Sequence, residues 1–125
     1  MGVVRGLIIT LLLTAPVVAD EPPVRMVRFL PQTGFAPLYT RFTFAIEPHK
    51  DNWGYCYQFW EEGLDEPTIN HCEDLAGDKA KKFYEKEEKA VNEGDYMVVI
   101  VVGRKGSEPL RSVPTPVKVG GRFPN

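Results

Sequence analysis

Histidine, serine and cysteine, the residues behind most hydrolytic and metal chemistry, are scarce in this chain. The histidines are His49 and His71, the cysteines Cys56 and Cys72, and the serines Ser107 and Ser112. No Gly-x-Ser-x-Gly elbow is present, so nothing suggests the nucleophile, base and acid of a Ser or Cys hydrolase. A glycine-rich phosphate loop is missing too. The His and Cys spacing matches no zinc pattern. The acids Glu61, Glu62, Asp65, Glu66, Glu73 and Asp74 read as solvated loop carboxylates, because no EF-hand spacing organises them and so small a domain leaves no deep cleft for a glycosidase pair. A calcium site among them stays open. The expectation is no catalytic residue, no metal and no cofactor.

Long apolar runs are also lacking. Gly6 to Leu13 is too short for the roughly 20 residues of a membrane-spanning helix. With Arg5 before it and Val17-Val18-Ala19 after it, this run reads as the core of a secretory signal peptide over 1–19; an uncleaved anchor is the competing reading. Residues 20–125 then make one domain, with 120–125 as a flexible tail. The mature chain carries 14 Lys and Arg against 17 Asp and Glu, a formal charge of −3. That excess of acid argues against nucleic-acid partners, and no membrane insertion is expected after cleavage. The destination is the periplasm, cell envelope or exterior. There Cys56 and Cys72 form a disulfide closing a loop of about 15 residues, worth about 3 kcal/mol in the chain-entropy account. A redox pair is the weaker alternative, since cysteines 16 positions apart form no C-x-x-C motif.

What is present is β-patterning. Gly94 to Val102 (GDYMVVIVV) has the β-branching of a strand covered on both faces. Leu38 to Glu47 alternates, with Thr40, Phe42, Phe44 and Ile46 on the core face. Trp53 to Glu61 is a second aromatic strand, with Tyr55, Tyr57 and Phe59 inward and Cys56, Gln58 and Trp60 outward. Val24 to Leu30 is a first edge strand. Leu110 to Val119 is a last one, protected by Pro114 and Pro116. Residues 78–91 have helix-like composition, but the surrounding strands need a partner. Ala80 to Glu87 is therefore read as a strand and Glu88 to Glu93 as a helical-turn connection.

Residues 31–46 (PQTGFAPLYTRFTFAI) resemble the P-x-x-G-x-A-P-L-x-V-x-F opening of polycystic-kidney-disease (PKD) domains. Gly94-Asp95-Tyr96 is similar to their late strand, and 110–119 to their final one; their W-D-F-G-D-G turn is not kept at 57–63. The resemblance implies an all-β, immunoglobulin-like, two-sheet antiparallel sandwich of about seven strands. It also implies a tyrosine corner at Tyr96 and a non-enzymatic module for protein interaction, adhesion or structure. A small carbohydrate-binding module using Trp60 and Trp53 is the alternative, and an envelope enzyme ranks last. The partner would be an unidentified protein or glycan. An outward Trp60 suits stacking on a sugar or anchoring a protein partner, but the favoured reading is that its ring covers the disulfide or packs beneath residues 65–72.

Overall fold

The structure, a computed structural model, describes residues 21–121. The leader expected over 1–19 and the last four residues of the expected tail lie outside them. Nine strands follow in order: β1 (Val24–Leu30), β2 (Thr33–Phe35), β3 (Leu38–Ile46), β4 (Asn52–Glu61), β5 (Ile69–Asp74), β6 (Phe83–Ala90), β7 (Gly94–Arg104), β8 (Leu110–Arg111) and β9 (Thr115–Gly120). They form two sheets, as expected of an immunoglobulin-like sandwich. One has the order β2-β9-β7-β4-β5, with β8 also on β7, and the other the order β1-β3-β6.

The period-two patterns place the core. Phe42, Phe44 and Ile46 of β3 face Tyr55, Tyr57 and Phe59 of β4 and Val98, Ile100 and Val102 of β7, all buried. The rings interlock: Phe42 stacks on Phe29 at 5.1 Å and meets Tyr57 edge-on at 5.2 Å, while Phe44 stacks on Tyr84 at 5.4 Å. At about 1.5–3 kcal/mol per fully buried large apolar side chain, this layer is the chief favourable contribution. The buried polar groups are satisfied. Thr40 Oγ1 donates to the Glu88 carbonyl at 2.9 Å, and Ser112 Oγ accepts the Ile100 N–H at 2.8 Å. Tyr96 closes the β6–β7 connection, its hydroxyl donating to the Asn92 carbonyl at 2.8 Å.

Three expectations need correction. The strand placed at Ala80 to Glu87 runs instead from Phe83 to Ala90. The only helical turn described nearby is a 3-10 turn at Gly77–Lys79, before that strand rather than after it. Eight registered pairs with β3 hold β6 in place, and its inner positions alternate as Tyr84, Lys86, Glu88 and Ala90. Charges at two of those positions hid the period. The last strand is broken into β8 and β9 at Ser112, whose N–H still donates to the Ile100 carbonyl at 2.9 Å while its side chain takes the Ile100 N–H in return, and it extends to Gly120, which pairs with Phe35 rather than starting a tail. Finally, the sandwich is not wholly antiparallel. The first strand crosses between sheets at Pro31, and its continuation β2 pairs parallel to β9.

Candidate functional site

Cys56 of β4 and Cys72 of β5 are direct cross-strand partners, and they form the disulfide. Alternation fixes which way they point. Their neighbours Tyr55 and Tyr57 enter the core, so the sulfurs stand on the outer face of the larger sheet. Cys56 is half-buried, and Cys72, on the edge strand, is exposed. Removing this bond would open no core cavity.

A groove of about 290 Å³ runs beside the disulfide, with Trp53, Val101 and Pro109 among its walls. The register shift between Asn52 and Gly54 turns Trp53 outward. Buried Asn52 anchors that irregularity: its Nδ2 donates to the Glu47 carbonyl at 3.1 Å, and its Oδ1 accepts the Arg104 Nε at 3.0 Å. The indole of Trp53 then lies across Gly103, where a Cβ would come within 2.5 Å of the ring. With 56% exposure, Trp53 offers a broad apolar face next to the sulfurs.

Trp60 behaves otherwise than its sequence position suggests. It does not line the groove beside the disulfide. Its Nε1 donates to Gln58 Oε1 at 2.9 Å, and the ring lines a separate depression of about 850 Å³ with Leu64, Met97 and Pro116. The two tryptophans thus serve different surfaces, and it is Trp53 that adjoins the cysteines. The sequence signal for this was the glycine pair Gly54 and Gly103, which lie opposite each other on β4 and β7.

A polar ladder, unforeseen from the sequence, closes the gap between the sheets at β5 and β6. Tyr57 donates to Glu88 at 2.8 Å, and His71 Nε2 approaches the same carboxylate at 3.3 Å. One step along, Tyr55 donates to Glu73 at 2.9 Å and Lys86 to the same group at 2.7 Å. Burial first, and the adjoining carboxylate second, push both tyrosine hydroxyls well above the usual phenol range. The Lys86 and Tyr55 hydrogen bonds hold the Glu73 carboxyl below its usual range. A phenol raised in the folded state stabilises the fold fully below the unfolded phenol value of about 10; that contribution fades as pH rises through the folded value. Melting temperature should therefore fall above about pH 10, and less steeply in Tyr57→Phe. Thermal melts across that range check this, and an unchanged slope in the variant would count against it.

The histidines are not brought together, since His49 contacts Asp51 and His71 contacts Glu88. Among the described residues, no group of three or more His, Cys, Asp or Glu side chains is arranged to hold a metal ion.

This is an all-β sandwich with a single, outward-facing disulfide. No family model matches the sequence, and no curated protein does. Among solved structures, the fold is similar to the superoxide reductase (neelaredoxin) from Ignicoccus hospitalis. The TM-score is 0.60 at 14% identity, covering 81% of this chain and 82% of that one. At that identity the likeness is one of fold. It corrects the expectation of a non-enzymatic interaction, adhesion or structural module, together with its carbohydrate-binding alternative: in that protein the architecture carries a redox enzyme.

Proposed function

We propose that this chain is a thiol–disulfide redox protein of an oxidising compartment, with Cys56–Cys72 as its redox centre. The observation that carries the reading is the placement of the bond, on the outer face, with Cys72 exposed at a sheet edge. Exposed disulfides are the more readily reduced ones, because an attacking thiolate can reach a sulfur. The fold likeness to a superoxide reductase supports electron-transfer chemistry on such a sandwich in general and does not bear on thiols. Two substrate thiols become a disulfide while Cys56–Cys72 becomes a dithiol, with two electrons and two protons transferred. The scaffold tolerates both states, since its core contains neither sulfur. Trp53, lying across Gly103, flanks the bond on its β7 side, which leaves Cys72 at the sheet edge as the open sulfur.

Equilibration in thiol–disulfide buffers, followed by alkylation and mass measurement, tests the reading. The expected midpoint lies above about −300 mV, the upper bound typical of structural disulfides in secreted proteins. Near-UV circular dichroism should stay native-like in the reduced form. A midpoint well below that bound, or reduction only on unfolding, would overturn the proposal.

A further inference from the structure

The geometry points to an extended, cysteine-bearing peptide with basic flanks as the substrate, added as a strand to the free edge of β5; this rests on the redox reading above. Among the described residues, no strand pairs with β5 on the side away from β4. The phase of the β4–β5 ladder shows what that edge presents. The Leu75 N–H donates to the Trp53 carbonyl at 3.1 Å, which makes Trp53 and Leu75 a hydrogen-bonded pair. Antiparallel pairs alternate between hydrogen-bonded and non-hydrogen-bonded. Tyr55–Glu73 and Tyr57–His71 are therefore hydrogen-bonded pairs, and Cys56–Cys72 falls between them as a non-hydrogen-bonded one. Its Cα separation of 4.0 Å agrees with the closer spacing of that class.

The backbone N–H and C=O of Cys72 consequently turn away from β4, toward the free edge, as do those of Asn70 and Asp74. An incoming strand pairs with these groups, which is the β-augmentation mode of peptide binding. The residue it places opposite Cys72 is hydrogen-bonded to it, about 5.5 Å away between Cα atoms, with its side chain on the same face. A cysteine there holds its sulfur beside the Cys72 sulfur. Attack on Cys72 forms the mixed disulfide and breaks the bond to Cys56, which leaves as a thiolate and takes a proton from water. A second thiol then attacks the peptide sulfur, releasing Cys72 as a thiolate and completing the two-electron exchange.

Charge selects among possible occupants. Ile69–Asp74 contains Glu73 and Asp74 and no Lys or Arg. Glu73 is matched by Lys86, but Asp74 has no ion-pair partner among the described residues. A second copy of this chain brings the same acidic edge and is repelled, whereas Lys or Arg on either side of the incoming cysteine is attracted.

The test compares three synthetic peptides with a small dithiol, dithiothreitol, on the intact protein. One peptide has a central cysteine in a Val/Thr strand flanked by lysines. In the second, prolines two residues either side of the cysteine block edge pairing and leave its immediate neighbours unchanged. The third has glutamates for the lysines. The first should reduce the disulfide roughly ten-fold faster than the others at equal micromolar concentration, because docking raises the effective thiol concentration toward the order of millimolar. The mixed disulfide should map to Cys72. Equal rates for all three, with dithiothreitol still effective, would overturn the edge-strand proposal and spare the redox reading. Failure of dithiothreitol to reduce the folded protein would remove both. Disulfide-linked dimers forming between reduced and oxidised protein as fast as the lysine peptide reacts would make a second copy the occupant, and would also overturn the peptide proposal.

Discussion

Phe42→Ala is expected to remove about 3–5 kcal/mol of folding free energy, the range for emptying a large aromatic site in a packed core. Phe42 is 1% exposed and sits where both sheets meet, against Phe29 from β1, Phe44 on its own strand, and Tyr57 and Phe59 from β4. Rings on three strands lose their common neighbour at once, and the ladder hydrogen bonds of β3 restrict how far the backbone can close the void. A domain of this size has about 5–15 kcal/mol to lose, so the variant should be marginal at room temperature. Urea denaturation reads the effect as a lower midpoint at unchanged slope. A loss below about 1.5 kcal/mol would mean that the aromatic layer repacks freely, contrary to its interlocked geometry.

The second large effect is expected from Cys56→Ala with Cys72→Ala. The chain-entropy account gives a loss of about 3 kcal/mol for a loop of this length, roughly 15 °C in melting temperature for a domain near 100 residues. The fold should persist, because Gly54 to Phe59 stays paired with Ile69 to Asp74 through the backbone and the core is untouched. This experiment and the redox titration measure two sides of one thermodynamic cycle. Whatever stability the bond gives the fold, the fold returns to the bond, and about 3 kcal/mol corresponds to about 65 mV of resistance to reduction. A small loss of stability thus means an easily reduced pair. A loss well beyond about 5 kcal/mol would place the pair among structural disulfides and contradict the proposed role.

The strands that build the core were legible because each carries a one-face signal. In β3 the buried positions alternate from Leu38 to Phe44, and in β4 Tyr55, Tyr57 and Phe59 repeat every second residue. The apolar run of β7 marks the middle of the larger sheet. Strand β6 was harder to place. Its inward Lys86 and Glu88 look like a solvated face until Glu73, Tyr57 and His71 meet them from the other sheet, and those contacts come from distant parts of the chain. The division of the first strand between the sheets depends likewise on β9, more than 80 residues later. Within the candidate site, the pairing followed from there being two cysteines in a chain read as exported, and the outward direction of Cys56 from the parity of β4. Cross-strand register, edge exposure and the nearness of Trp53 did not, because each depends on how β4 and β5 align and on a register shift at Asn52. A motif search for closely spaced cysteines passes over this pair, since its proximity comes from the turn joining two strands.

The parallel pairing of β2 with β9 has a mechanical consequence. These strands lie near opposite ends of the chain and run the same way, joined in register from Lys118–Thr33 to Gly120–Phe35. The Lys118 N–H donates to the Gln32 carbonyl at 2.8 Å, and the Ala36 N–H to the Gly120 carbonyl at 3.0 Å. Tension drawing β2 back toward the N-terminus and β9 on toward the C-terminus slides one strand along the other. It therefore loads these bonds together, in shear, instead of peeling them one by one. The patch is short, yet it resists pulling as a unit, and the disulfide on the far edge of the same sheet lies outside that line of force.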